Sequence, residues 1–201
     1  MTILALETSA ARCQVALLDG STLHVVEERE AQHSRVVLAL VEKLLEEAGC
    51  ALSGLQAIAV SHGPGSFTGL RIGIAVAQGL AYASNLPVVP IGTLAALAYQ
   101  AEHESRVSRG DSPLHVLATI DARKEQIYYA WFECSENSVQ MLGTQSLDDP
   151  AKLAQQAVPD GYSKGYSNGQ QPLQTAVGTG LRYADSLPGW VQPYCIEPAS
   201  S

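Results

Sequence analysis

The chain has 201 residues, 46% hydrophobic and 16% charged, which suits one large domain or two small lobes with a packed core and excludes wholesale disorder. Twelve lysines and arginines stand against twenty aspartates and glutamates, a net charge of -8. Because such a surface repels phosphates on average, autonomous nucleic-acid binding is not expected. RNA would be brought close by a local basic patch or by a partner.

The sequence also carries signals about its compartment. It has no apolar run of ~18 residues, and the start MTILALETSA lacks the basic beginning and long apolar stretch of a signal peptide. Cys13, Cys50, Cys134 and Cys195 form no CxxC pair and have no histidine at zinc-ligand spacing. We therefore predict a cytoplasmic protein with reduced thiols, no membrane contact and no structural zinc.

The first half of the chain alternates strand and helix patterns. The Asp19-Gly20 pair is a hairpin signal between two strand-like runs, and Ser34 is a candidate cap for an amphipathic helix that Gly49 ends. A glycine-rich turn, Gly63–Ser66, precedes a second helix. The predicted elements are strands Thr2–Leu6, Cys13–Leu18, Leu23–Glu27, Leu55–Val60 and Pro87–Ile91, and helices Ser34–Ala48, Phe67–Ala83 and Leu94–Glu102, the last capped by Thr93.

The second half repeats the opening of the first. The polar, turn-rich segment 103–111 predicts a linker between an N-terminal lobe, 1–102, and a C-terminal lobe, 112–201. Each lobe opens with a strand, a short polar turn and a returning strand, which predicts two related α/β lobes. In the second lobe we expect strands Leu114–Ile120 and Gln126–Glu133 joined by Asp121-Ala122-Arg123, a short helix capped by Asp148, a loop over Tyr162–Gln171, and a strand entering a glycine turn at Ala176–Gly180.

Two polar turns are candidate ligand sites. Glu7 and Thr8, with Ser9, supply a carboxylate and hydroxyls that could hold a magnesium-bound phosphate, since magnesium prefers oxygen ligands. The same residues could instead satisfy backbone groups of their own turn. Asp121 could likewise contact a ribose or a metal-bound water, or simply pair with Arg123 or cap its turn.

The helix that starts at Phe67 has a stripe without large side chains. Gly69, Gly73 and Ala77 recur at i, i+4 and i+8, and each interior glycine costs roughly 1 kcal/mol of helix stability relative to alanine. Close approach of another backbone would offset that cost. The approaching element is either a helix, of this chain or of a partner, or the lobe's own sheet.

The sequence lacks the usual catalytic patterns. No HExxH, HxxxH or P-loop motif occurs, and the five histidines lie far apart. A peptidase is therefore disfavoured, because neither metal ligands nor an activated nucleophile can be identified.

Three segments together resemble the bacterial TsaB family, also called YeaZ: ILALETSAARCQVALLDG, SHGPGSFTGLRIGIAVAQGLAYASNLPVVPIGTLAALA and TIDARKEQIYYAWFE. The resemblance implies an ASKHA (actin/Hsp70-like) α/β fold with two lobes, each a central mixed sheet flanked by helices. Family chains usually continue into a helix that packs on the first lobe. The second lobe is therefore expected to be truncated or naturally short.

The resemblance implies a non-catalytic scaffold in the formation of threonylcarbamoyladenosine next to the anticodon of tRNAs that read A-starting codons. The chain would bind the catalytic paralogue TsaD and with it TsaE, with TsaC as a further candidate, and would form a homodimer when TsaD is missing. ATP or ADP and a metal would be held in the complex, not by this chain alone, and tRNA would be contacted indirectly.

The resemblance also implies the location of the sites. The first two helices would meet TsaD through Val37, Val41, Leu44, Gly69, Leu70, Arg71, Gly73, Ile74 and Ala77. The alternative reading is an ATP-binding or ATP-hydrolysing ASKHA enzyme, with nucleotide held near Glu7, Thr8, Asp121, Gly178 and Gly180.

Overall fold

The computed structural model describes residues 1–29, 32–109, 113–136, 138–153, 173–186 and 192–193. The chain divides into two compact units, Met1–Thr93 and Leu94–Ser201. In the described part of the chain, no helix combines the length and the apolar character needed to cross a bilayer.

The first unit contains a mixed sheet in which the described strands follow the order β3-β2-β1-β4-β5. β1 pairs with β2 in antiparallel orientation. β2 pairs with β3 in the same way, as expected from the Asp19-Gly20 hairpin. β4 and β5 continue the sheet in parallel. The strands are β1 (Thr2–Glu7), β2 (Arg12–Asp19), β3 (Thr22–Arg29), β4 (Ala57–Gly63) and β5 (Val88–Gly92).

Two helices, α1 (His33–Glu47) and α2 (Phe67–Ser84), pack on one face of this sheet. Gln32, not Ser34, occupies the N-cap of α1, and no side chain caps that helix. Gly49, at φ +61°, ends the helix as predicted, because glycine adopts left-handed backbone without steric cost. Ser66 caps α2 by accepting a hydrogen bond from the Gly69 N–H, and Asn85 ends it at φ 52°.

The helix α3 (Thr93–Arg109) belongs to the second unit and corrects the predicted boundary. It runs through most of the segment 103–111 that we expected to be a linker. Leu94, Ala98 and Ala101 are buried in the core of the second unit, and neither glycine nor proline interrupts the chain before Gly110. A polar helix end has the composition of a loop, which explains the wrong prediction. The division between the units falls at Thr93–Leu94 instead.

The second unit contains a sheet whose described strands follow the order β10-β9-β6-β7-β8. Starting from β8, the strands follow one another in the same pattern as the strands of the first sheet starting from β3. In each sheet two antiparallel pairs are followed by two parallel pairs. The predicted pair of related α/β lobes is therefore confirmed. The strands are β6 (Leu114–Arg123), β7 (Gln126–Ser135), β8 (Ser138–Asp148), β9 (Leu173–Val177) and β10 (Gln192–Pro193).

Other parts of the second unit differ from the prediction. The sequence does not predict the strand β8, because a bulge near Gly143 interrupts the alternation of its apolar and polar residues. The bulge lies between two residue pairs of β7 and β8, Trp131 with Leu142 and Tyr129 with Ser146. The short helix α4 (Pro150–Leu153) is capped by the carboxylate of Asp149, not Asp148. A 3-10 segment over Thr179–Ser186 follows β9, whereas the loop expected over Tyr162–Gln171 lies outside the described residues.

Candidate functional site

The turn Glu7-Thr8-Ser9 leaves β1 at its carboxyl end. The Glu7 carboxylate accepts a hydrogen bond from the Ser9 N–H at 2.5 Å and another from the Ser61 hydroxyl at the end of β4. Burial raises the pKa of the Cys13 thiol on β2, and the charge of Glu7 adds to that rise. Glu7 therefore stabilises its own turn through hydrogen bonds, which is one of the two roles that the sequence allowed for it.

Thr8 is fully buried and holds the turn against α2. Its hydroxyl donates a hydrogen bond to the Gly69 carbonyl oxygen at 2.8 Å. A Cβ added at Gly69 would lie 1.9 Å from the Thr8 carbonyl oxygen, and one added at Gly73 would lie 2.3 Å from the Thr8 hydroxyl oxygen. Thr8 thus serves packing, and that it contacts a nucleotide stays a prediction.

The stripe of small residues on α2 faces the interior of its own unit. Gly69, Gly73 and Ala77 are all buried against the first sheet and its turn. Of the two readings that the sequence allowed, close packing on the lobe's own sheet is the correct one. These three residues therefore do not form a surface that a partner could reach.

Three further residues predicted at the interface also lie in the core. Val37, Val41 and Leu44 are buried on α1 and pack in the cluster that contains Leu4 and Ile58. An amphipathic helix buries its apolar stripe against the sheet beneath it, so this face is unavailable to a partner. Among the predicted interface residues, only Leu70, Arg71 and Ile74 retain exposure.

The side of the helix layer that faces away from the sheet carries large apolar side chains. Phe67 is 68% exposed and Tyr82 is 92% exposed on α2, and Leu38 is exposed on α1. The Arg71 guanidinium stacks over the Phe67 ring, 3.9 Å from its centroid. We call Leu38, Phe67, Arg71 and Tyr82 the outward helix face.

Sequence reasoning included Arg71 in the interface but missed the other three members of this face. A signal was present, because positions 67, 71 and 82 lie within about 60° of one another at 100° per residue, opposite the stripe of small residues. Aromatic residues and arginine are enriched in protein interfaces. The outward helix face is therefore the better candidate for a docking surface.

Asp121 lies near the end of β6 instead of in a turn. The turn is Lys124-Glu125, where Arg123, Lys124 and Glu125 all have left-handed φ values between 51° and 66°. The Asp121 carboxylate accepts hydrogen bonds from the Arg123 N–H at 2.9 Å, from Arg182 at 2.7 Å and from the Tyr183 hydroxyl at 3.4 Å. Burial acts to raise the pKa of Asp121, but these bonds outweigh it and the pKa lies below its ordinary value.

The lowered pKa of Asp121 predicts a pH-dependent contribution to stability. The contribution is present above the ordinary aspartate pKa and is lost as the pH falls through the lowered value. Since Arg182 is 64% exposed, we expect Asp121→Asn to cost about 1 kcal/mol or less at pH 7. Urea unfolding of both proteins at pH 7 and pH 3 checks this, and a difference that grows on acidification would contradict it.

The glycines of the predicted turn after β9 pack against β6. A Cβ added at Gly178, whose φ is +108°, would lie 1.9 Å from the Thr119 carbonyl oxygen, and one at Gly180 would lie 2.7 Å from the Thr119 Cβ. These contacts explain both glycines without a ligand. That Glu7, Asp121, Gly178 and Gly180 hold a nucleotide stays a prediction.

The sequence of the chain is similar to those of proteins with known names. A family model described as "TsaD: tRNA N6-adenosine threonylcarbamoyltransferase" matches residues 24–183. The Haemophilus influenzae protein named tRNA threonylcarbamoyladenosine biosynthesis protein TsaB is 40% identical over 131 residues, covering 65% of this chain and 53% of that protein. The Escherichia coli protein of the same name is 38% identical over 140 residues, covering 69% and 58%. The chain thus spans little more than half the length of these curated relatives.

A solved structure extends the similarity through most of the fold. YeaZ from Pseudomonas aeruginosa superposes with a TM-score of 0.74 at 35% identity, covering 93% of this chain and 80% of that one. The two sheets flanked by helices agree with the ASKHA-like fold that the sequence motifs implied. The GPGSFTGLRIG segment, which was the most specific of those motifs, forms the turn and first half of α2. The chain therefore belongs to the TsaB (YeaZ) family.

Proposed function

We propose that this chain is a non-catalytic subunit in the formation of threonylcarbamoyladenosine next to the anticodon of tRNAs that read A-starting codons. Membership of the TsaB family carries the proposal, because its curated relatives are named for the biosynthesis of this nucleoside. With a net charge of -8, the chain is poorly suited to grip tRNA, so the partner makes most of the RNA contacts.

The chemistry of the first unit supports a scaffold role. The Glu7 carboxylate accepts hydrogen bonds from the chain's own Ser9 and Ser61, and the Thr8 hydroxyl donates to the chain's own backbone. These polar groups stabilise the turn under α2. Each of these groups is therefore engaged in bonds that the fold itself makes, as a structural role requires. In this proposal ATP or ADP and a metal are held in the complex with partners.

The proposed partner is TsaD, the threonylcarbamoyltransferase. The family model described by that name matches this chain, so the two proteins share a fold. The outward helix face offers exposed aromatic side chains and a stacked arginine, which suit a protein interface. TsaE then joins this complex, and TsaC supplies a further candidate contact. Without TsaD, the same face would pair two copies of this chain.

Replacing Phe67 by glutamate tests this surface. The substitution removes an exposed aromatic ring, ends its stacking with Arg71 and places a charge in the proposed interface. We expect the Kd for TsaD to rise at least tenfold, about 1.4 kcal/mol, with the unfolding midpoint unchanged. Titration calorimetry with purified TsaD measures the affinity, and reconstituted tRNA modification should fail when this chain is omitted.

Leu147→Glu is the matched control for this experiment. Leu147 is also an exposed apolar residue, but it lies on β8 in the second unit. We expect this variant to bind TsaD like the unmodified chain. Equal affinity of Phe67→Glu and Leu147→Glu for TsaD would contradict the proposed surface. Full modification in the absence of the chain would contradict the proposed function.

A further inference from the structure

The Glu7 carboxylate connects two segments that are distant in sequence. One oxygen accepts the Ser9 N–H bond at 2.5 Å, within the turn after β1, and the other accepts the Ser61 hydroxyl bond from β4. Ser9 and Ser61 are both buried, so water competes poorly for these bonds. The position of the Glu7–Ser9 turn is therefore tied to β4.

The same turn supports the start of α2. The Ser9 carbonyl oxygen accepts a hydrogen bond from the Ser66 N–H at 2.7 Å. A Cβ added at Gly65 would lie 2.7 Å from the Ser9 Cβ, which shows how closely the two backbones approach. Thr8 contacts the next turn of the helix through Gly69. Because the atoms of the Glu7–Ser9 turn and of α2 are already in close contact, a displacement of that turn must also displace the first helical turn of α2.

The first turn of α2 carries Phe67 and continues to Arg71, two members of the outward helix face. We propose that Glu7 is a positioning residue for the partner surface: through the Ser9 turn it sets the position of the α2 N-terminus, without touching the partner. This inference rests on the proposed function, since it assigns Glu7 a role in the same interface. It replaces a nucleotide-binding role for Glu7 with one in partner recognition.

The full chain with Glu7→Ala tests the proposal. Alanine leaves the Ser9 N–H and the Ser61 hydroxyl without their acceptor, so the turn loses its tie to β4. We expect the Kd for TsaD to rise about tenfold. Hydrogen exchange measured by mass spectrometry should accelerate in peptides that cover residues 63–72 and stay unchanged in β6 and β7.

Rescue separates positioning from a general loss of stability. Glu7→Gln keeps an acceptor for the Ser9 N–H and a polar partner for Ser61, so it should restore both affinity and exchange to within about twofold of the unmodified chain. Glu28→Ala removes an exposed glutamate from β3 and should change neither measurement. If Glu7→Ala does not fold, Ser61→Ala replaces it, with an expected threefold or larger loss of affinity.

Three outcomes would overturn the proposal. Affinity of Glu7→Ala (or Ser61→Ala, where it serves instead) equal to that of the unmodified chain would show that the tie has no effect on the surface. Failure of Glu7→Gln to rescue would show that the charge itself is required. Unchanged exchange at residues 63–72 would show that Glu7 does not hold α2. Should the unmodified chain fail to bind TsaD, the proposed function fails, and the exchange measurement still decides whether Glu7 positions the helix.

Discussion

Replacing Gly69 by alanine is expected to lower the free energy of unfolding of the first unit by about 3 kcal/mol. The new methyl group would lie 1.9 Å from the Thr8 carbonyl oxygen, and this neighbour is backbone that cannot rotate away. Relief requires α2 to move off the turn, which strains or breaks the bond from the Thr8 hydroxyl to the Gly69 carbonyl. Urea unfolding followed by circular dichroism measures the loss.

Gly79→Ala is the control in the same helix. A Cβ added at Gly79 meets no atom within 4 Å, so only the backbone propensity changes. Alanine is favoured over glycine in a helix interior by about 1 kcal/mol, and we expect a stabilisation of that order. If the two alanine variants were equally stable, the close approach between α2 and the Thr8 backbone would be refuted.

Leu44→Ala is expected to destabilise the first unit by about 3 kcal/mol. Leu44 lies on α1 with 1% of its surface exposed, and truncation leaves a cavity above the first sheet. This result would distinguish a core residue from an interface residue. Truncating a side chain that only a partner buries would lower the stability of the isolated chain very little. Chemical denaturation of the isolated protein provides the measurement.

Leu38→Ala is the matched control for this second prediction. Leu38 lies on the same helix but is 55% exposed, so its truncation should change stability by no more than about 0.5 kcal/mol. As a member of the outward helix face it should instead weaken binding to TsaD. A large loss of stability with Leu38→Ala and none with Leu44→Ala would reverse our assignment of the two faces of α1.

Local signals were sufficient for most elements of the first unit. The Asp19-Gly20 pair marks the hairpin between β2 and β3, and the apolar spacing of α1 identifies the face that packs on the sheet. These signals work because turn chemistry and side-chain periodicity depend on residues close in sequence. They also sufficed to predict the repetition of the fold, since both lobes begin with the same succession of elements.

Local signals failed where a neighbour distant in sequence decides the structure. The polar end of α3 has the composition of a linker, and only the burial of Leu94 and Ala98 against the second sheet shows that the helix belongs to that unit. The strand β8 alternates poorly, and pairing with β7 is what makes it a strand. Hydrogen bonding between strands overrides a weak intrinsic preference.

The candidate site shows the same division. The sequence singled out Glu7 and Asp121 as polar groups at strand ends, and both engage in hydrogen bonds there. Their donors, however, include Ser61 on β4 and Arg182 after β9, which strand pairing brings close. The identity of a carboxylate's partners depends on the order of strands in the sheet, which composition and spacing do not encode.

By itself, the sequence determined that one face of α2 must be approached closely by another backbone, because two glycines and two alanines at intervals of four leave that face bare. Only the tertiary structure decided which backbone that is: the Thr8 turn, whose hydroxyl reaches a carbonyl 61 residues further along the chain. Small side chains set how near a neighbour can come, but the parallel crossover from β4 through α2 selects the neighbour. That choice turns the aromatic residues of α2 outward, where we propose that a partner binds.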